Sequence, residues 1–272
     1  MHNTNITNTI ICPEDYITLA FQLADIARII TLKYFRKPIL ISDKIDYSPV
    51  TVADRETEIE MRKLIFQVAP NHGIYGEEYG AFNIDDAEWI WVLDPIDGTK
   101  AFITGKPLFC TLIALLYKGI PVLGIIDQPV LNERWVGISG RISTLNDQPI
   151  QVRSCSELRL AALYATSPEM FITDNDNTTL AWESIYTSVK LLCYGSDCYA
   201  YGLLASGYID LIVEASLKPY DYLPLVAIIH GAGGLITDWS GHQLNLKSNG
   251  KVVASGDKRI HTTTLAKLAF NK

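Results

Sequence analysis

A mixed α/β fold is predicted by three features of the sequence. Two amphipathic helical patterns open the chain, five short runs rich in β-branched and aromatic residues follow, and strand and helix patterns then alternate to the end of the second half. The 272 residues are 48% hydrophobic, and a chain of this size buries roughly three quarters of its unfolded surface. A full core is therefore expected, in one large domain or in two smaller ones that share an interface.

Between residues 13 and 36 apolar side chains recur at Ile17, Phe21, Ala24, Ile26, Ala27, Ile30 and Phe35. That spacing is close to 3.6 residues and predicts a helix that stops before Pro38. A second helix is predicted over 54–68, closed by Pro70. The runs 73–75, 89–93, 109–117, 122–126 and 134–138 are separated by Gly, Pro and Asn and read as strands of one sheet. Beyond residue 150 the predicted order is strand 161–165, helix 178–188, strand 190–194, helix 197–206, strand 209–213, helix 220–231 and strand 235–237. Polar residues replace the oily strands at 141–147. This predicts an N-terminal α+β unit, 1–141, carrying most of the acidic candidates, and a C-terminal α/β unit, 142–272.

Lys and Arg number 23 against 30 Asp and Glu, a net charge of -7, and no basic cluster is present. Nucleic acid is not an expected partner. An acidic protein repels a phosphate ester unless bound cations reverse the local sign or the rest of the substrate is cationic. The five cysteines contain no CxxC pair and read as buried thiols in a reducing cytoplasm. The N-terminal residues lack the basic and apolar regions of a signal peptide. The longest oily stretch, 111–126, is interrupted by Lys118, Gly119 and Pro121, so neither secretion nor a membrane span is expected. The Asn-x-Ser/Thr triplets at Asn5 and Asn177 carry no weight without a secretory route.

The stretch WVLDPIDGTKAFITG holds more acid than a turn requires. Pro95 biases Asp94 to an extended conformation and Gly98 permits a tight turn, so Asp94 and Asp97 can point into one space beyond a strand end. Carboxylates gathered there repel one another, which makes best sense with a divalent cation. An isolated Asp-Gly would be plain turn chemistry, but Glu77 and Glu78 in IYGEEYG and Asp221 in KPYDYLPL sit in similarly punctuated settings. The spacing excludes a calcium hand, because the twelfth position from Asp94 is Gly105. HExxH, a Walker A loop and an intact GxGxxG are all missing, and all-oxygen donors favour Mg²⁺ or Mn²⁺ over zinc.

GEE at 76–78, DPIDGT at 94–99 and Asp221 followed by GAGG at 231–234 resemble the inositol monophosphatase superfamily of Mg²⁺-dependent phosphatases, over nearly the whole chain. The departure is Tyr220, where the family commonly has Trp. The resemblance implies the layered αβαβα sugar-phosphatase fold and a homodimer. It implies two or three Mg²⁺ ions, with Mn²⁺ as a substitute. Glu77, Asp94 and the carbonyl of Ile96 would hold the first, Asp94, Asp97 and Asp221 the second, and a weaker third would lie near Glu77. Paired ions about 4 Å apart clamp the attacking and leaving oxygens. The implied catalytic residues are Asp54, Thr99 and Glu77, with Asp54 and Thr99 orienting water; the alternative for Asp54 is a helix N-cap. Gly98 and Thr99 look like a helix start through Ile103 whose N–H groups bind phosphate.

For the substrate, GSDCYAYGLLASGYIDLIVEA is more similar to the histidinol-phosphatase branch than to the inositol branch. The resemblance implies a small cationic phosphate ester, L-histidinol phosphate, with Asp197 or Glu214 pairing with its ammonium group. The alternatives are an N-cap for Asp197 and a solvated strand end for Glu214. Arg134 and Tyr201 are further candidates for the leaving-group pocket. The histidines read as surface or packing residues, and Trp89 and Trp91 as packing residues. The competing functions are a phosphatase for inositol, sugar or nucleotide phosphates, a non-catalytic metal and phosphate binder, and a glycosidase; the last leaves Gly98 and Thr99 unexplained.

Overall fold

In the computed structural model, which describes residues 10–43, 49–172 and 177–269, the first amphipathic stretch forms α1 (Glu14–Tyr34). The Asn5 triplet lies outside the described residues. Glu14 and Asp15 in the first turn complement the helix dipole. Leu19, Ala20, Leu23, Ala24 and Ala27 form the buried face, with Phe21 packed at its edge. A short antiparallel hairpin, β1 (Ile41–Asp43) with β2 (Pro49–Thr51), leads into α2 (Val52–Val68). This helix starts two residues before the predicted position because Thr51 caps it. Thr51 Oγ1 accepts from Ala53 N at 3.1 Å, and Asp54 returns the bond by accepting from Thr51 N at 2.8 Å. Asp54 is thus the third residue of a capping box rather than the N-cap expected as its structural role.

The predicted strands form the middle of an eight-stranded sheet. In chain order its members are β3 (Gly73–Gly76), β4 (Gly80–Phe82), β5 (Trp89–Asp97), β6 (Cys110–Tyr117), β7 (Ile120–Gln128), β8 (Glu133–Ile138), β9 (Thr144–Leu145) and β10 (Gln148–Pro149). The spatial order is β10-β9-β8-β7-β6-β5-β3-β4, and only the β3–β5 pair is parallel. A five-residue helix, α3 (Thr99–Ile103), follows β5. The second half supplies β11 (Ala162–Ala165), α4 (Thr178–Tyr186), β12 (Leu191–Tyr194), α5 (Tyr199–Ala205), β13 (Leu211–Glu214), α6 (Pro219–Gly231), β14 (Leu235–Asp238), β15 (Val252–Ser255) and α7 (Lys258–Ala269). Its five strands run β12-β11-β13-β15-β14, with β15 antiparallel to both neighbours. Sequence patterning did not predict β1, β2, β4, β9, β10, β15 or α7.

Burial on both faces explains why the central strands read as unbroken apolar runs. Trp91 and Leu93 of β5 face α1 and α2, together with Met61 and Ile65. Ile90 and Val92 face the other way, onto Tyr201, Leu204, Tyr222 and Ile228 of α5 and α6. The same interior continues to Ile212 and Ala254 of the second sheet, whose far face packs Leu211 and Val253 against Trp182 of α4 and Ile260 of α7. The result is five layers, αβαβα. Helix α6 is apolar nearly all round, as a helix between two sheets must be. Its approach needs glycines: a Cβ on Gly124 would lie 1.9 Å from Pro224 O, and one on Gly137 2.3 Å from Ala227 C. Trp89 and Trp91 pack as expected, with Trp91 Nε1 donating to His72 Nδ1 at 3.1 Å. The five cysteines are free thiols. Among the described residues no helix is long and apolar enough to cross a membrane.

Candidate active site

The chemistry-bearing acids converge where β5 ends. The β5–β6 register shifts between Asp94 and Asp97, because Pro95 has no N–H for the ladder. Thr111 holds the irregular segment by donating to Pro95 O at 2.8 Å. Gly98 then adopts φ 84°, a left-handed conformation, and the chain enters α3. Ile96 N donates back to Asp94 Oδ1 at 3.0 Å, and Thr99 Oγ1 donates to Ile96 O at 3.1 Å.

Two other elements bring their acids to the same point. Asp221, third residue of α6, accepts from Lys218 N at 2.7 Å, so the helix start aims its carboxylate. One oxygen each from Asp94, Asp97 and Asp221 falls within a mutual 4.8 Å. Glu77 extends the parallel β3–β5 ladder through its N–H to Leu93 O at 3.1 Å, and its carboxyl is close enough to bear on the charge of Asp94. The predicted ligands Glu77, Asp94, Asp97 and Asp221, with Ile96 between the two β5 aspartates, therefore share one site.

The electrostatics of the site are strained. Burial, then the charges of Glu77, Asp97 and Asp221, raise the Asp94 carboxyl well above the usual range. Burial followed by Asp197 pushes Asp97 up to about 7. Asp221 is raised by burial and by Asp97, against the Lys218 N–H that lowers it. A divalent cation removes this conflict, and a set of carboxylates beside a backbone carbonyl suits a hard ion. The residues present fit such an ion.

Asp54 and Thr99 do not hydrogen-bond to each other. Asp54 is instead held by Thr51, whose N and Oγ1 both donate to Oδ2, while its buried Oδ1 has no hydrogen-bond partner among the described residues. Burial raises Asp54 to about 6, Thr51 opposes the rise, and the charge of Glu77 adds to it. Thr51 was not singled out from the sequence, although T-x-x-D ahead of a helical pattern is the signature of its capping box.

A cavity of about 350 Å³ opens beside the cluster, lined among others by Asp97, Thr99, Lys100, Thr166, Asp197 and Tyr201. Asp197 caps no helix: the N-cap of α5 is Cys198, and Asp197 itself has φ 42°. A Cβ on Gly98 would lie 3.1 Å from Asp197 Oδ2, which places this carboxylate against the turn that follows the β5 aspartates. Glu214 is no solvated strand end, being 3% exposed. Its Oε1 accepts from Thr166 N and Oγ1 at 3.0 and 2.5 Å, and its Oε2 from Tyr201 OH at 2.7 Å, so it stands behind the cavity wall and braces it. Arg134, unlike Tyr201, is absent from the wall. It pairs with Asp127 and Asp25 on the far side of the sheet. Tyr220 stacks on Tyr75, with ring centroids 6.3 Å apart.

Residues 13–272 match the inositol monophosphatase family. The chain belongs to that family. As an inositol monophosphatase-family member it is a phosphatase, and the family is metal-dependent, in keeping with the acidic cluster. It is 51% identical over 266 residues to the chloroplastic bifunctional phosphatase IMPL2 of Arabidopsis thaliana, covering 95% of this chain and 76% of that protein. It is 32% identical over 240 residues to a histidinol-phosphatase of Chlorobaculum parvum, covering 88% and 92%. An inositol monophosphatase structure from Zymomonas mobilis superposes with a TM-score of 0.85 at 44% identity, over 94% of this chain and 98% of that one. The layered fold expected from the family resemblance is the fold observed.

Proposed function

We propose that this phosphatase is Mg²⁺-dependent and hydrolyses L-histidinol phosphate to L-histidinol and phosphate. The observation that carries the reading is Asp197, a carboxylate on the cavity wall beside Gly98 where a site for a phosphate ester has no need of further acid. A cationic leaving group supplies the need through a charge-assisted hydrogen bond. Histidinol-phosphatases among the relatives support it.

In this reading Glu77, Asp94, Asp97, Asp221 and the Ile96 carbonyl hold the ions. Bound there, Mg²⁺ supplies charge neutralisation and Lewis-acid activation of the ester and of water. The protein does the rest with its own groups. Asp54 takes a proton from the attacking water at Oδ1, which has no partner among the described residues, while Thr51 fixes the carboxylate through Oδ2. A pKa near 6 suits a base working close to neutral pH. The N–H groups of Gly98 and Thr99 bind the phosphate oxygens. Asp197 orients the ammonium group, and Glu214 keeps Thr166 and Tyr201 in place around it.

The test is phosphate release in Mg²⁺ from a panel holding L-histidinol phosphate, myo-inositol 1-phosphate and nucleotide monophosphates. L-Histidinol phosphate should have the highest kcat/KM, and Asp197→Ala should lower that value more than the value for the inositol ester. Equal or faster hydrolysis of the inositol ester by the wild type would overturn the choice of substrate. That second reading has its own support, because Lys100 and Lys106 partly offset the charge of Asp197 and because the Zymomonas mobilis structure carries the inositol name.

Three further expectations belong to the same proposal. The protein is a homodimer, which light scattering on the purified protein checks. The chain divides near residue 141 into units 1–141 and 142–272 that share one interior, and limited proteolysis checks the boundary. It works in the cytoplasm, which a fluorescent fusion checks.

A further inference from the structure

We propose that Glu58 is a positioning residue that clamps the turn presenting Glu77, and so sets how tightly the acidic cluster takes a divalent cation. The proposal rests on the reading of Glu77 as a metal ligand. Glu58 lies one helical turn after Asp54 on α2, on the same face. Its side chain is fully buried, an expensive place for a carboxylate unless hydrogen bonds and a counter-charge compensate.

Every partner of that carboxylate serves one short segment. Oε2 accepts from Glu78 N at 2.7 Å and Oε1 from Tyr79 N at 3.2 Å. Arg62 Nε donates to Oε1 at 2.7 Å, and Arg62 Nη2 donates onward to Gly80 O. Residues 78–80 are thus tied to α2 from both the N–H and the carbonyl side. Glu77, immediately before them, is tied to β5 through its own N–H to Leu93 O. Its backbone sits between two anchors, one on the strand that carries Asp94 and one on the helix that carries Asp54.

Gly76 belongs to the same device. A Cβ there would lie 2.0 Å from Glu58 Oε1 and 2.8 Å from Arg62 Nη2, so glycine is needed for Glu58 to reach the turn. This gives the first residue of the GEE motif a physical reason that turn chemistry alone does not. Groups that orient a ligand typically change metal affinity by about 10–100-fold when removed.

The experiment is calorimetric titration of Mg²⁺ into metal-free wild type, Glu58→Gln, Gly76→Ala and Arg62→Lys, beside the Mg²⁺ dependence of phosphate release. Glu58→Gln and Gly76→Ala should each weaken Mg²⁺ binding about tenfold, and raise the Mg²⁺ needed for half-maximal rate in parallel. The substrate KM at saturating Mg²⁺ should stay at the wild-type value. Arg62→Lys should weaken binding in the same direction by less, and it decides the matter if Glu58→Gln does not fold. Unchanged Mg²⁺ affinity in folded variants, with only a lowered Tm, would overturn the proposal. A wild type that cleaves no ester of the panel would overturn the proposed function while leaving the calorimetric comparison valid.

Discussion

The backbone N–H of Cys198 donates to Asp97 Oδ2 at 2.7 Å, joining residues 101 positions apart. The bond takes the N-cap of α5 to the end of β5, so the cavity wall and the acidic cluster are one construction. It also fixes the orientation of the Asp97 carboxylate through one of its two oxygens.

Asp97→Asn should keep the fold, since an amide oxygen still accepts from Cys198 N, and should lose the buried charge. In EDTA its Tm should equal or exceed that of the wild type. Phosphate release should fall by more than about 100-fold, because a ligand carboxylate matters more than the outer groups that orient it. Differential scanning calorimetry with a phosphate assay checks both halves.

The metal-free protein should become less stable as pH rises. Burial brings Asp54 to about 6 and Asp97 and Glu214 to about 7, all above their ordinary values of 3.8 and 4.5. A folded pKa above the unfolded one contributes stability that is complete below the unfolded value and is lost as pH rises through the folded value. Tm in EDTA should therefore fall between about pH 4 and 7, from the ordinary values of these carboxyls to their folded ones. Saturating Mg²⁺ should remove or reverse the slope, since an ion that binds only the folded cluster stabilises it. A flat profile in EDTA would contradict the repulsion described for the site.

Thr51→Ala should cost about 1 kcal/mol of stability, the usual loss for an N-cap. It should also lower kcat, because Asp54 loses the hydroxyl that holds Oδ2. Thr51→Ser keeps the hydroxyl and should recover both. Chemical denaturation and steady-state kinetics on the three proteins separate capping from catalysis.

Gly124→Ala should destabilise by about 1–3 kcal/mol, the typical cost of overpacking. The new methyl meets the backbone of Pro224, which cannot move aside as a flexible side chain would. Because α6 carries Asp221, the shift should weaken Mg²⁺ binding as well. The same methyl introduced at Gly119, where a Cβ would meet nothing, should leave Mg²⁺ affinity unchanged despite the strain of its positive φ.

Legibility in the sequence followed the kind of interaction involved. α1, β5, β6 and α6 were readable because periodicity and punctuation are local, and apolar runs between breakers have few other uses. α7 was missed although Ile260, Thr264 and Leu268 recur every fourth residue and are buried, because its threonines dilute the helical signal. The short strands β1, β4, β9 and β10 were missed for a different reason: two or three residues carry no period.

The sequence by itself determined the family, the layered fold and the identity of the acids, since DPIDGT, GEE and the Asp221 helix start are contiguous motifs shaped by local backbone chemistry. Tertiary structure alone decided that Glu214 stands behind the wall instead of on it, and that Arg134 faces away. Those outcomes depend on which side chains meet across the β5–α5, β11–β13 and β7–β8 neighbourhoods, and sequence spacing carries no record of such meetings.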